Sequence, residues 1–167
     1  MCRCYVSGAA PYDRGVEAWS GRSRVTADEL AVWRTFLRAH ARVVRALEVD
    51  LLAKHDLPLA WYDVMVQLVE APGRRVRMTE LADRVLLSRS GLTRLVDRMV
   101  GAGLVRREPC DTDARGYYAV LTDEGYARLR SAAGTHLRGV RDRVISVFDA
   151  GELELLGSYL ARLDPTP

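Results

Sequence analysis

The sequence predicts a mainly α chain of the α+β class, in which one short β-hairpin interrupts a succession of amphipathic helices. Three observations lead there. Leu81, Ala82 and Val85, then Leu92, Leu95, Val96, Met99 and Val100, fall at helical spacing in two segments separated by only a few residues. Residues 104–121 then read as strand, turn-rich tip and strand. Long segments of helical periodicity flank this stretch on both sides. Helix, turn, helix and a hairpin with a charged tip make a winged helix-turn-helix, a device for laying one helix in the major groove of DNA. The N- and C-terminal helices are expected to form an intertwined dimerisation domain around two copies of it.

Four segments follow: an extension (1–25), an N-terminal dimerisation helix (26–57), the winged helix-turn-helix (58–121) and C-terminal dimerisation helices (122–167). The extension is rich in Gly, Ser, Arg and Ala without periodicity and reads as flexible. Its Cys2 and Cys4 form a C-x-C pair, but a metal site needs three or four ligands, and His40, His55 and His136 lack matching spacing. Free thiols and no metal are the expectation. Thr26 and Glu29 fit a capping box that opens a helix to about His55. Its apolar positions, among them Leu30, Trp33, Phe36, Leu37, Val43, Val44, Leu47 and Leu51, cover more than one face, so it needs two partners. Asp56-Leu57-Pro58 breaks it. The next helix, Leu59 to Ala71, buries Trp61, Val64, Met65, Leu68 and Val69, and Pro72-Gly73 ends it.

Within the winged unit Thr79 can cap the short first helix and Ser88 the second. Gly91 leaves room for close approach, and Gly101 and Gly103 supply the stop. The strands are Leu104 to Glu108 and Tyr117 to Leu121, with a tip from Pro109 to Gly116. Thr122-Asp123 starts another long helix carrying Tyr126, Leu129, Ala133, Leu137, Val140, Val144 and Phe148 at helical spacing. Asp149 with Glu152 is a second capping pair, opening a terminal helix marked by Leu153, Leu156, Leu160 and Leu163.

Composition excludes more than it selects. The chain has 167 residues, 49% hydrophobic and 28% charged, enough for one domain with a real core. Ten arginines and six acidic residues lie between Pro72 and Gly116, a surplus of +4 against +3 for the whole chain, so the basic excess sits in the winged unit. A solvated charged face would show the same charge. No apolar run approaches the roughly 20 residues of a membrane span, and the N-terminus lacks an apolar signal region. A cytoplasmic protein with reduced thiols is expected. There is no G-x-S-x-G, H-E-x-x-H or Walker loop and no spaced carboxylate pair, so no catalytic residues and no cofactor are assigned.

The face opposite the buried stripe of the second helix carries Arg89, Ser90, Thr93, Arg94, Asp97 and Arg98. Arg89, Ser90, Thr93 and Arg94, near its N-terminal half, are the candidates for base readout, since a guanidinium presents two donors to guanine O6 and N7. Ser88 and Arg98 suit phosphates, as do Thr79 and the preceding Arg74, Arg75 and Arg77. Arg115 at the wing tip can enter a minor groove, with Asp113 holding its guanidinium. Against this stands simple pairing of Arg94 or Arg98 with Asp97 along the helix surface.

TELADRVLLSRSGLTRLVDRM, GLVRRE and DTDARGYYAVLTDEG together resemble the MarR family of bacterial transcription regulators, with Asp113, Arg115, Gly116, Val120 and Thr122 matching its wing signature. The resemblance covers roughly residues 57–130. It implies an obligate homodimer, a palindromic operator on double-stranded DNA, and usually repression relieved by a small ligand or an oxidant. Effectors in the family, often aromatic acids, commonly bind between the winged unit and the dimer helices. Trp33, His40, Trp61, Tyr62 and Met65 have the chemistry to line such a pocket, with Arg42 for a carboxylate; plain core packing accounts for them as well. A redox-sensing regulator is the variant reading, but the family's sensing Cys lies near the start of the first dimer helix, where this chain has none. Cys110 would need Arg106 or Arg107 to lower its pKa. The rival outside the family is a winged helix whose basic face binds an acidic protein.

Overall fold

A computed structural model describes residues 25–85, 87–110 and 113–163, with the side chains of 113–115 outside the description. Cys2 and Cys4 lie outside the described residues. Among the described residues, six α-helices and three strands follow in the order α1 (Ala27–His55), α2 (Leu59–Glu70), β1 (Arg75–Arg77), α3 (Met78–Arg84), α4 (Arg89–Gly101), β2 (Val105–Cys110), β3 (Asp113–Leu121), α5 (Asp123–Arg143) and α6 (Ala150–Ala161). The mainly helical class and the winged helix-turn-helix order are as expected from the sequence.

The chain divides into a unit of residues 1–42 and a unit of residues 43–167. In the first, α1 opens on the expected capping box: the Glu29 N–H donates to Thr26 Oγ1 at 3.2 Å and the Thr26 N–H to Glu29 Oε2 at 2.7 Å. Trp33 and Phe36 stack at 5.9 Å, and both are exposed.

In the second unit the core is continuous. Leu51, Leu57, Val64, Met65, Leu68, Leu81, Leu92, Val96 and Met99 are almost wholly buried, joined by Leu129 and Ala132 from α5. Helix ends inside it are satisfied by distant side chains, because terminal N–H and C=O groups have no intrahelical partner. Pro58 precedes α2 and offers no cap of its own, so Glu48 of α1 accepts the Leu59 N–H at 2.5 Å. Asp56 ends α1 in the left-handed region (φ 47°), which Asp tolerates better than most residues. Arg128 of α5 donates to the His55 and Asp56 carbonyls at the end of α1, at 2.6 and 3.4 Å. His55 Nε2 and Thr135 Oγ1 share a hydrogen bond of 2.8 Å, and Arg143 pairs with Asp50 at 2.7 Å. Five polar contacts thus fasten the second half of α1 and its C-terminal end to α2 and α5.

The structure corrects several sequence expectations. Arg75–Arg77, to which the sequence assigns no element, is a third strand; the antiparallel order is β1-β3-β2, with Val76 opposite Ala119 and Arg107 opposite Ala119 on the other side. A three-residue strand is too short to show a period of two, and only Val76 of the three is buried. The hairpin is longer than expected, with ladder pairing continued to Pro109 opposite Tyr117 and Cys110 opposite Asp113. Thr79 does not cap α3: the helix begins one residue earlier, with Arg77 at the cap position. Val100 is exposed rather than part of the buried stripe, and Phe148 lies beyond α5, after a short 3-10 turn. Gly103, at φ 74°, is the stop for α4, whereas Gly101 is its last helical residue. The Leu104 N–H reaches Met99 O (3.0 Å) and the Gly103 N–H reaches Val100 O (2.9 Å), a Schellman closure.

Candidate nucleic-acid interface

Ser88 starts α4 as expected: its Oγ accepts the Gly91 N–H at 3.1 Å. A Cβ at Gly91 would sit 3.0 Å from that oxygen, so the glycine makes room for the cap. With Leu92, Leu95, Val96 and Met99 turned into the core, Arg89, Ser90, Thr93, Arg94, Asp97 and Arg98 are left exposed. Thr93 Oγ1 donates back to the Arg89 carbonyl at 2.8 Å. The one acid of the helix, Asp97, is taken by Arg107 of β2 at 2.9 Å rather than by Arg94 or Arg98. Arg89, Arg94 and Arg98 have no ion pair among the described residues. Three outward guanidiniums and two hydroxyls therefore project from one helix face, and among the described residues none of the three arginines is ion-paired.

The neighbouring arginines are engaged differently. Arg74 lies 4.0 Å over the Tyr126 ring and 3.4 Å from Asp123. Arg75 lies 4.9 Å over the Tyr118 ring and 3.8 Å from Glu108, which Arg106 also contacts. Arg77 Nε lies 3.4 Å from the Tyr118 hydroxyl. Thr79 is exposed and, with Thr93, Arg107 and Tyr117, lines a cleft of about 310 Å³ between α3, α4 and the hairpin. Asp113 and Arg115 lie on the first residues of β3, but their side chains are outside the described residues. Arg107 and Tyr117 carry no signal in sequence that sets them apart: Arg106 and Arg107 are both exposed, so strand alternation does not mark either.

Of the expected ligand-pocket residues in the second unit, Trp61 and Tyr62 line different pockets. Met65 is fully buried core, whereas Trp33 and His40 are exposed. Trp61 faces a surface pocket with Leu52, Pro58, Glu124 and Arg128. Tyr62 lines a different crevice, about 440 Å³, with Asp63, Gln67, Arg84, His136 and Leu137. His136 stacks on Tyr62, centroids 4.4 Å apart, and its buried Nδ1 has no hydrogen-bond partner among the described residues. Burial pushes the His136 pKa down and the Tyr62 pKa up; burial, then the charge of Glu48, pushes the Asp63 carboxyl up. Cys110, at the end of β2, is buried. No group of three metal-ligating side chains stands among the described residues, and no helix among them is long and apolar enough to cross a membrane.

A capped helix whose outward arginines have no ion pair among the described residues, followed by a hairpin wing, defines the class: a winged helix-turn-helix protein. Residues 55–116 match the MarR family model. The chain is 37% identical to Sco3205, a MarR family regulator from Streptomyces coelicolor solved in complex with DNA, with a TM-score of 0.81 over 87% of this chain and 92% of that one. AbsC, another MarR family regulator from Streptomyces coelicolor, is 35% identical, with a TM-score of 0.79 over 86% of this chain and 96% of its own. The regulator PecS of Dickeya dadantii is 28% identical over 89% of this chain and 90% of its own. The chain belongs to the MarR family of transcriptional regulators.

Proposed function

We propose that the chain is a cytoplasmic repressor that binds a palindromic operator as a homodimer, reading bases with Arg89, Ser90, Thr93 and Arg94. Ser88, Arg98 and Thr79 meet phosphates, while Arg115, held by Asp113, enters the minor groove beside each half-site. One observation carries this reading: Arg107 removes the only acid of α4, leaving its arginines available for guanine edges and phosphates. An acidic protein partner would suit the charge, but a cleft bounded by a recognition helix and an adjacent wing favours a duplex, with one groove for each. The likeness to Sco3205, solved with DNA bound, supports the same choice.

Surface that one chain leaves uncovered supports the dimer. Val32, Trp33, Phe36 and Leu37 on α1 are exposed, as are Leu155, Tyr159 and Leu160 on α6 and Leu163 beyond it. Apolar exposure on two helices is what a second copy would cover. Relief of repression is assigned to a planar aromatic ligand in the Tyr62–His136 crevice, where His136 Nδ1 has no partner among the described residues. The test of the DNA reading is a mobility-shift titration on duplexes selected from a random pool. Arg94→Ala should lose at least tenfold in affinity with its thermal melt unchanged, since one bidentate pair discriminates by about 1–3 kcal/mol. Unchanged affinity would remove the helix face from the interface.

A further inference from the structure

Resting on that DNA reading, we propose that Arg107 is a positioning residue that pins the wing to the recognition helix, with Asp97 as its anchor. Arg107 sits in the middle of the β2–β3 ladder, opposite Ala119, so its backbone is held by the sheet. One of its terminal nitrogens, Nη2, lies 2.9 Å from Asp97 Oδ1 and 3.4 Å from the Thr93 carbonyl, one helical turn earlier. The guanidinium thus grips two successive turns of α4 from the hairpin. A helix in one groove and a wing in the next can bind together only if their separation is set beforehand; ordering them at the moment of binding would subtract from affinity. Asp97 faces the same surface as Arg94 and Arg98, where a carboxylate would otherwise repel phosphate. Its retention there is explained by the grip it gives Arg107.

Simple charge counting and the pin predict opposite results for the full-length chain. Removing an acid from a DNA-facing helix should tighten binding if charge alone mattered. The pin predicts that Asp97→Asn weakens binding to the selected duplex at least tenfold, and that Arg107→Ala does the same. The double variant should be no weaker than either single, because both break one contact. The slope of log affinity against log salt should be unchanged in Arg107→Ala, whereas a lost phosphate contact would reduce it by about one. Should Arg107→Ala lose its fold, Arg107→Lys, which keeps the charge without the forked reach, carries the same prediction. Equal or tighter binding by Asp97→Asn, additive losses in the double variant, or a fall in the salt slope would each overturn the pin. If the unaltered chain retains no duplex at all, the DNA reading itself fails with it; if the chain binds and Asp97→Asn is neutral, the pin alone fails.

Discussion

Gly125 has no room for a methyl group: a Cβ there would lie 2.1 Å from the Leu104 carbonyl oxygen and 2.8 Å from a Leu121 methyl. Backbone cannot yield as a side-chain tip can. Gly125→Ala should therefore destabilise the fold by about 1–3 kcal/mol, read as a lower melting temperature with the same far-UV spectrum. The residue also donates its N–H to Thr122 Oγ1 at 2.9 Å, while the Thr122 hydroxyl donates onward to the Gly103 carbonyl at 2.7 Å. His136 carries a pH prediction. Its pKa is lowered in the fold by burial, so between that value and the ordinary 6.5 the unfolded chain binds more protons than the folded one. Stability should fall as pH drops below about 6.5 and level off beneath the folded pKa. Asp63, in the same crevice, has a raised pKa and acts in the opposite sense at lower pH: its protonation in the fold favours the folded state. Melting curves at pH 7.5 and 5.5 check this, and His136→Leu should flatten the difference. Caps were legible in sequence because they are local: Thr26, Ser88 and Asp149 all accept the expected N–H groups. Thr79 was not, since where a helix begins beside a three-residue strand depends on a partner forty residues away.

At the scale of elements, the recognition helix was readable because its buried and exposed faces alternate with the helical period along its 13 residues. Its start rests on one oxygen, and Ser88→Ala should cost about 1 kcal/mol of stability. It should weaken DNA binding more than stability alone explains, because the first turn carries Arg89 and Ser90. The wing was legible as a hairpin but not in its length, since the ladder continues through Pro109, a residue that signals a turn. Arg115→Ala should weaken binding, blunt any preference for A·T-rich flanks and lower the salt slope by about one. The contrast expected with Arg107→Ala, where the slope should stay, would separate a side chain that enters a groove from one that holds the wing in place. The pairing of Asp97 could not be read from sequence. Spacing along α4 offers it Arg94 and Arg98, and only the sheet register brings Arg107 to it.

At the scale of the whole molecule, the sequence shows helices with more apolar surface than one winged unit can cover, and the structure leaves that surface exposed on α1 and α6. Periodicity could identify the excess but not its partner, because a buried stripe and an interface stripe have the same period. The crevice beside Tyr62 was illegible for a related reason: aromatic residues adjacent in the chain, Trp61 and Tyr62, face separate cavities, and the His136 that lines one of them with Tyr62 is more than seventy residues away. The central claim is that two copies present their recognition helices to successive turns of one symmetric duplex. Sedimentation of the chain with a labelled duplex recovered by selection tests it most directly. The account predicts two chains per duplex, on half-sites whose centres are about 34 Å apart. One chain per duplex, or a selected sequence without two-fold symmetry, would contradict it.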